Sequence, residues 1–139
     1  MSLGSIVDIL KTYFLDKDVA AVYLFGSYVK MKERKSSDLD IGILHKTNID
    51  PLKKFESNLD FAVQLEEITG ITVDLFDLEK VNTYLLHQMM LNKILILDKD
   101  TKRRVAFEVA RRKEYFDRKS FYKIYHEQAL RRLERRAVK

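Results

Sequence analysis

The segment Leu24-Phe25-Gly26-Ser27 is followed, after ten further residues, by Asp38-Leu39-Asp40, and these two segments decide the fold. The first ends the continuous apolar run Val19 to Phe25, which is typical of a strand buried on both faces. The second leads into another apolar run, Ile41 to Leu44. The pattern therefore predicts a strand, a tight turn, a short connecting helix and a second strand.

Asp38 and Asp40 stand two residues apart at the head of the second predicted strand. Residues i and i+2 of a strand point to the same face, so the two carboxylates are aimed at one point. Two anions this close resist ionisation unless a cation neutralises them. Mg²⁺ is a hard cation that prefers oxygen ligands. The spacing therefore predicts a divalent-metal site at this strand end.

Gly26 and Ser27 predict a binding site for an anion. Glycine permits backbone conformations that residues with a Cβ avoid. Serine is a good helix N-cap, and the first turn of the helix predicted over residues 27–34 offers unpaired N–H groups to a phosphate. A phosphate cradle that faces a metal site predicts binding of a nucleoside triphosphate.

The motif Gly26-Ser27, ten residues, Asp38-x-Asp40 resembles that of the polymerase-β-like nucleotidyltransferases, and the short chain is most similar to their minimal branch, the MNT domains. The resemblance covers roughly residues 5 to 98. It implies an α/β (α+β) nucleotidyltransferase fold, a small mixed sheet flanked by helices. It also implies a third carboxylate on a later strand. Asp74 is the matching candidate, because a carboxylate inside an apolar strand needs a partner, whereas Asp77 lies just past the strand.

The resemblance also implies the cofactors and the role of each site residue. Two Mg²⁺ ions and ATP are expected, and Asp74 is expected to act also as a general base. Many relatives carry Arg where this chain has Lys30, which contacts phosphate as a point charge without the bidentate fork of Arg. The matching positions are the catalytic and metal-binding Asp38, Asp40 and Asp74 and the nucleotide-binding Gly26, Ser27 and Lys30.

MNT domains often act as antitoxins beside HEPN-domain toxins, and this implies the acceptor. AMP would pass from ATP to a hydroxyl of the HEPN ribonuclease, a tyrosine in characterised members. Two alternatives stay open, a non-catalytic antitoxin that masks its toxin and a small-molecule nucleotidyltransferase. The identity of the acceptor, the nucleotide preference and a homo-oligomeric state also stay open.

Composition and charge limit the remaining classes. The 139 residues include no Cys, which excludes disulfides, and no apolar run long enough for a membrane helix, so a cytoplasmic location is expected. Residues 1–100 hold 12 basic and 16 acidic residues, whereas residues 101–139 hold 14 and 5. This basic segment permits an acidic protein partner or, as a less favoured reading, direct nucleic-acid binding.

The remaining hydrophobic patterns predict one domain with two parts. Residues 1–100 form the minimal nucleotidyltransferase core, and residues 101–139 form a basic helical extension packed on it, either as one helix or as two helices broken near residues 117–120. In the helix that starts at Asp50-Pro51 and stops at Gly70, the predicted buried stripe is Leu52, Phe55, Leu59, Ala62, Leu65 and Ile68. The other predicted elements are a helix over 5–15, strands over 71–76 and 94–97, and a helix over 79–91.

Overall fold

The computed structural model describes residues 2–26 and 38–137. Ser27, Lys30 and the helix predicted over residues 27–34 lie outside the described residues. The described chain forms, in order, α1 (Leu3–Phe14), β1 (Val19–Phe25), β2 (Leu39–His45), α2 (Pro51–Thr69), β3 (Val73–Asp77), α3 (Thr83–Met90), β4 (Ile94–Asp98) and α4 (Thr101–Ala137). None of the described helices is both long enough and apolar enough to span a membrane.

The four strands form one mixed sheet in the order β3-β2-β1-β4. β1 runs antiparallel to both β2 and β4, whereas β2 and β3 are parallel and are connected through α2. The predicted α/β architecture, a small mixed sheet flanked by helices, is confirmed. β1 is buried along its whole length because neighbouring strands pair with both of its edges and helices cover both of its faces.

The alternation of side chains along β2 divides the interior into two cores. Leu39, Ile41 and Ile43 pack with residues of α1 and α2 on one face of the sheet. On the other face Leu44 packs in a second core that includes residues of β1 and α3. Asp40 belongs to this second face, because residues 40, 42 and 44 share a direction. The second face is therefore the one that carries the predicted site.

The prediction of which α2 residues are buried is mostly wrong. Leu65 is buried as predicted, but Leu52, Phe55, Leu59 and Ile68 are each more than half exposed. The face that packs is Phe61, Leu65 and Thr69. This face of α2 packs against α1. The ring of Phe61 meets the ring of Phe14 edge to face, with centroids 5.3 Å apart.

α4 is a single helix of 37 residues, so the alternative of two helices broken near residues 117–120 is wrong. Its first half is held against the core by polar contacts. Glu108 accepts a hydrogen bond of 2.7 Å from the Tyr23 hydroxyl and forms ion pairs with Lys93 and Arg104, both at 3.1 Å. Beyond Arg118 the described side chains of α4 are exposed, with the exception of the half-buried Ala129. The helix therefore has a packed half and a projecting half.

Candidate active site

The candidate site lies where β1 ends and β2 begins, at one edge of the second sheet face. In the sheet register Phe25 stands opposite Asp40, and Asp40 stands opposite Asp74 on β3. Opposed residues of neighbouring strands point to the same face, so the carboxylates of Asp40 and Asp74 are neighbours. Asp38 directly precedes β2. The structure thus brings the three predicted carboxylates to one place on the molecule.

Gly26 lies against the carboxylate of Asp40. Its φ is +79°, a conformation that residues with a Cβ rarely adopt. A Cβ at this position would stand only 2.1 Å from Oδ2 of Asp40. Glycine is therefore required twice, once for the turn that ends β1 and once for the space beside Asp40.

Burial and the two neighbouring carboxylates both act on Asp40. Burial raises the pKa of Asp40 above its ordinary value, and the negative charges of Asp74 and then Asp38 raise it further. Asp38 and Asp74 are themselves exposed, whereas Asp40 is half-buried. A cation that bound here would relieve this repulsion.

The donor chemistry of the site fits Mg²⁺, although its side chains are not gathered around a point. Among residues 2–26 and 38–137, no three His, Asp or Glu side chains converge closely enough to hold a metal ion. The three carboxylates nevertheless offer hard oxygen ligands only, which suit Mg²⁺. Two of the three, Asp38 and Asp74, are exposed. Of the predicted phosphate-binding residues, only Gly26 lies among the described ones.

The sequence did not predict a cavity of about 460 Å³ that adjoins the carboxylate of Asp40. It lies between the sheet and α3, and Gly26 and Asp40 form one of its walls. The sequence predicted a helix over residues 79–91, but it did not indicate that residues of this helix face the site. The other lining residues are Phe25, Phe76, Leu85, Gln88, Met89 and Asn92.

Comparison with protein families gives one match over most of the chain. The profile described as polymerase beta, nucleotidyltransferase, matches residues 5–102. This range includes β1, β2 and β3, and with them every residue of the candidate site described above.

A curated relative and several solved structures are also similar to this chain. The protein adenylyltransferase MntA of Shewanella oneidensis is 33% identical over 69 residues, which are 50% of this chain and 47% of the relative. The match therefore spans about half of each protein.

Two of the similar structures contain toxin–antitoxin complexes. A toxin–antitoxin structure with AMP-PNP has a TM-score of 0.68 and 21% identity, covering 92% of this chain and 99% of the other. A tri-AMPylated HEPN toxin from Shewanella oneidensis with its MNT antitoxin gives a TM-score of 0.67 and 19% identity, covering 91% and 98%. At these identities the likeness establishes a shared fold, and the predicted nucleotidyltransferase fold is thereby confirmed.

Proposed function

Because this chain belongs to the polymerase β nucleotidyltransferase family, we propose that it is an antitoxin that transfers AMP from ATP to a tyrosine hydroxyl of a HEPN ribonuclease toxin. The observation that carries the proposal is the position of Asp40 between Gly26, which leaves space beside it, and Asp74, which stands opposite it in the sheet. The similarity to an adenylyltransferase and to structures with AMP-PNP and an AMPylated toxin supports the choice of nucleotide and acceptor.

The chemistry divides among the site residues. Asp38, Asp40 and Asp74 would hold two Mg²⁺ ions, which when bound supply charge neutralisation and lower the pKa of the acceptor hydroxyl. The turn at Gly26 gives the triphosphate access to Asp40. The acceptor oxygen forms a bond to the α-phosphorus while the bond to pyrophosphate breaks, and pyrophosphate leaves. Asp74, at the exposed edge of the site, takes the proton of the hydroxyl.

The acceptor would approach from the side of β3 and α2. A groove of about 600 Å³ runs past Asp74 and is bordered by the exposed Phe55 and Leu59 of α2. Large exposed apolar surfaces commonly mark interaction sites for other proteins. This groove would give the partner protein a surface that leads its hydroxyl to Asp74.

A second candidate function is neutralisation of the toxin by binding alone. The specific observation that favours it is the projecting half of α4, which is basic and carries exposed aromatic residues such as Phe121 and Tyr125. A partner with an acidic surface would cover these residues whether or not AMP is transferred. Binding and transfer would then be separable properties of the same chain.

Intact mass spectrometry of the cognate toxin tests the proposal. The toxin is incubated with this protein, ATP and Mg²⁺ and is then separated from this protein. Its mass is measured, and its ribonuclease activity is assayed. We expect a mass increase by whole AMP residues on a toxin that stays inactive after separation. Asp40→Asn should abolish the increase, whereas Asp8→Asn, an exposed carboxylate on α1, should leave it unchanged.

The masking alternative predicts the opposite result in the same assay. An unmodified toxin that regains its ribonuclease activity after separation would refute the transferase proposal. Charge reversal at Arg131 and Arg132 on the projecting half of α4 should then release the toxin, whereas Asp40→Asn should still inhibit it.

A further inference from the structure

The cavity of about 460 Å³ beside Gly26 and Asp40 has the size and composition of a small-molecule site. Ligand pockets commonly measure about 300–1,000 Å³ and combine apolar walls with a few polar groups. Here the wall opposite Gly26 comes from α3, a helix that carries none of the predicted catalytic residues. The cavity starts where a triphosphate would lie, so the rest of the same nucleotide can enter it.

The apolar walls of the cavity suit a flat ring. Phe76 contributes an aromatic side chain from β3, and Leu85 and Met89 contribute aliphatic side chains from α3. Aromatic and apolar side chains hold a nucleobase by stacking on its faces, without regard to which base it is. These walls therefore account for binding of a base but not for selection among bases.

Two carboxamides on α3 supply the selective groups. Gln88 and Asn92 are four residues apart, so they lie on the same side of α3 and its C-terminal turn, and both line the cavity. Among the described residues that line the cavity there is no Lys or Arg. Asn and Gln pair with N6 and N7 of adenine, whereas Arg and Lys are the usual partners of guanine.

We propose that this cavity binds the adenine base of the nucleotide and that Gln88 and Asn92 determine the preference for adenine over guanine. The inference rests on the proposed nucleotidyltransferase function, because it uses Gly26 and Asp40 as the position of the triphosphate.

Calorimetric titration of the full chain, with Mg²⁺ present, distinguishes the contribution of the base to binding from that of the triphosphate. The three probes are the imido analogues of ATP and of GTP and inorganic tripolyphosphate. We expect the ATP analogue to bind on the order of tenfold more tightly than the GTP analogue. Gln88→Met and Asn92→Leu, which keep side-chain size, should remove this preference and leave tripolyphosphate binding unchanged. Leu85→Ala should weaken both nucleotides and not tripolyphosphate.

Gln128→Met, an exposed position on the projecting half of α4, is the matched control and should bind all three probes like the unmodified protein. If the carboxamide variants keep the full preference for the ATP analogue, the assignment of Gln88 and Asn92 is wrong while the proposed function stands. If nucleotides bind no better than tripolyphosphate, the base does not occupy the cavity. If none of the three probes binds, the proposed function itself is overturned.

Discussion

Replacing Gly26 by Ala should damage the candidate site far more than it damages the fold. The added methyl carbon would stand 2.1 Å from Oδ2 of Asp40, and ordinary contact begins near 3.4 Å, so the carboxylate must retreat by about 1.3 Å. A misplacement of about 1 Å at a reacting centre can lower the rate about 100-fold. We therefore expect the proposed AMP transfer to fall by about two orders of magnitude.

The same substitution also strains the backbone, and this contribution can be measured separately. A residue with a Cβ in the left-handed region costs roughly 1–2 kcal/mol. Gly70, which ends α2, has a φ of +70° and nothing within 4 Å of the position of its missing Cβ. Gly70→Ala therefore carries a comparable backbone strain without a steric clash, and it is the matched control.

Thermal unfolding and AMP transfer, measured on both variants, give the decisive comparison. We expect both substitutions to lower the free energy of unfolding by similar amounts, roughly 1–2 kcal/mol from the backbone alone. Only Gly26→Ala should lose transfer. If Gly70→Ala lost transfer to the same extent, loss of stability rather than displacement of Asp40 would explain the effect. Transfer by Gly26→Ala within threefold of the unmodified protein would refute the steric reasoning.

Three further predictions concern stability. Burial lowers the pKa of His45, so folding stability should decline as the pH falls below its unfolded value of about 6.5, and His45→Gln should flatten that decline in denaturant titrations at several pH values. On α2, Leu65→Ala should lower the free energy of unfolding by about 2–5 kcal/mol and Ile68→Ala by less than about 0.5, because only Leu65 is buried; equal losses would contradict the observed packing. Removal of residues 120–139 should leave the midpoint of core unfolding unchanged in calorimetry, and a lower midpoint would mean that this part of α4 supports the core.

The part of the site that could be predicted from sequence is the part fixed by local chemistry. The period of two along β2 aligns Asp38 and Asp40, and a glycine after a buried strand signals a turn that other residues avoid. Asp74 could be found because the family resemblance implies a third carboxylate on a later strand, although Asp77, which was expected just past that strand, is the last residue of β3. The register of Asp74 opposite Asp40 then follows from the parallel pairing of β2 and β3.

The features that could not be predicted depend on which surfaces meet in three dimensions. α2 carries apolar residues on more than one side, so its sequence does not say whether Phe55 or Phe61 faces the core. In the structure it is Phe61 that faces the core, where it packs against the ring of Phe14. The cavity beside Asp40 arises only when α3 packs over the sheet. The sequence of α3 by itself does not indicate that the helix packs there.

The division of α4 into a packed and a projecting half has a consequence for how the chain melts. An isolated helix must first form a costly nucleus, but here the packed half already provides one, and the remaining turns need only propagate from it. The 18 residues from 120 to 137 would extend about 27 Å from that nucleus. Without a partner, these turns should unwind gradually from the C-terminus on warming, whereas the core unfolds in one cooperative step. Circular dichroism should therefore show a sloping loss of helix ahead of the main transition, and a bound partner would remove the slope.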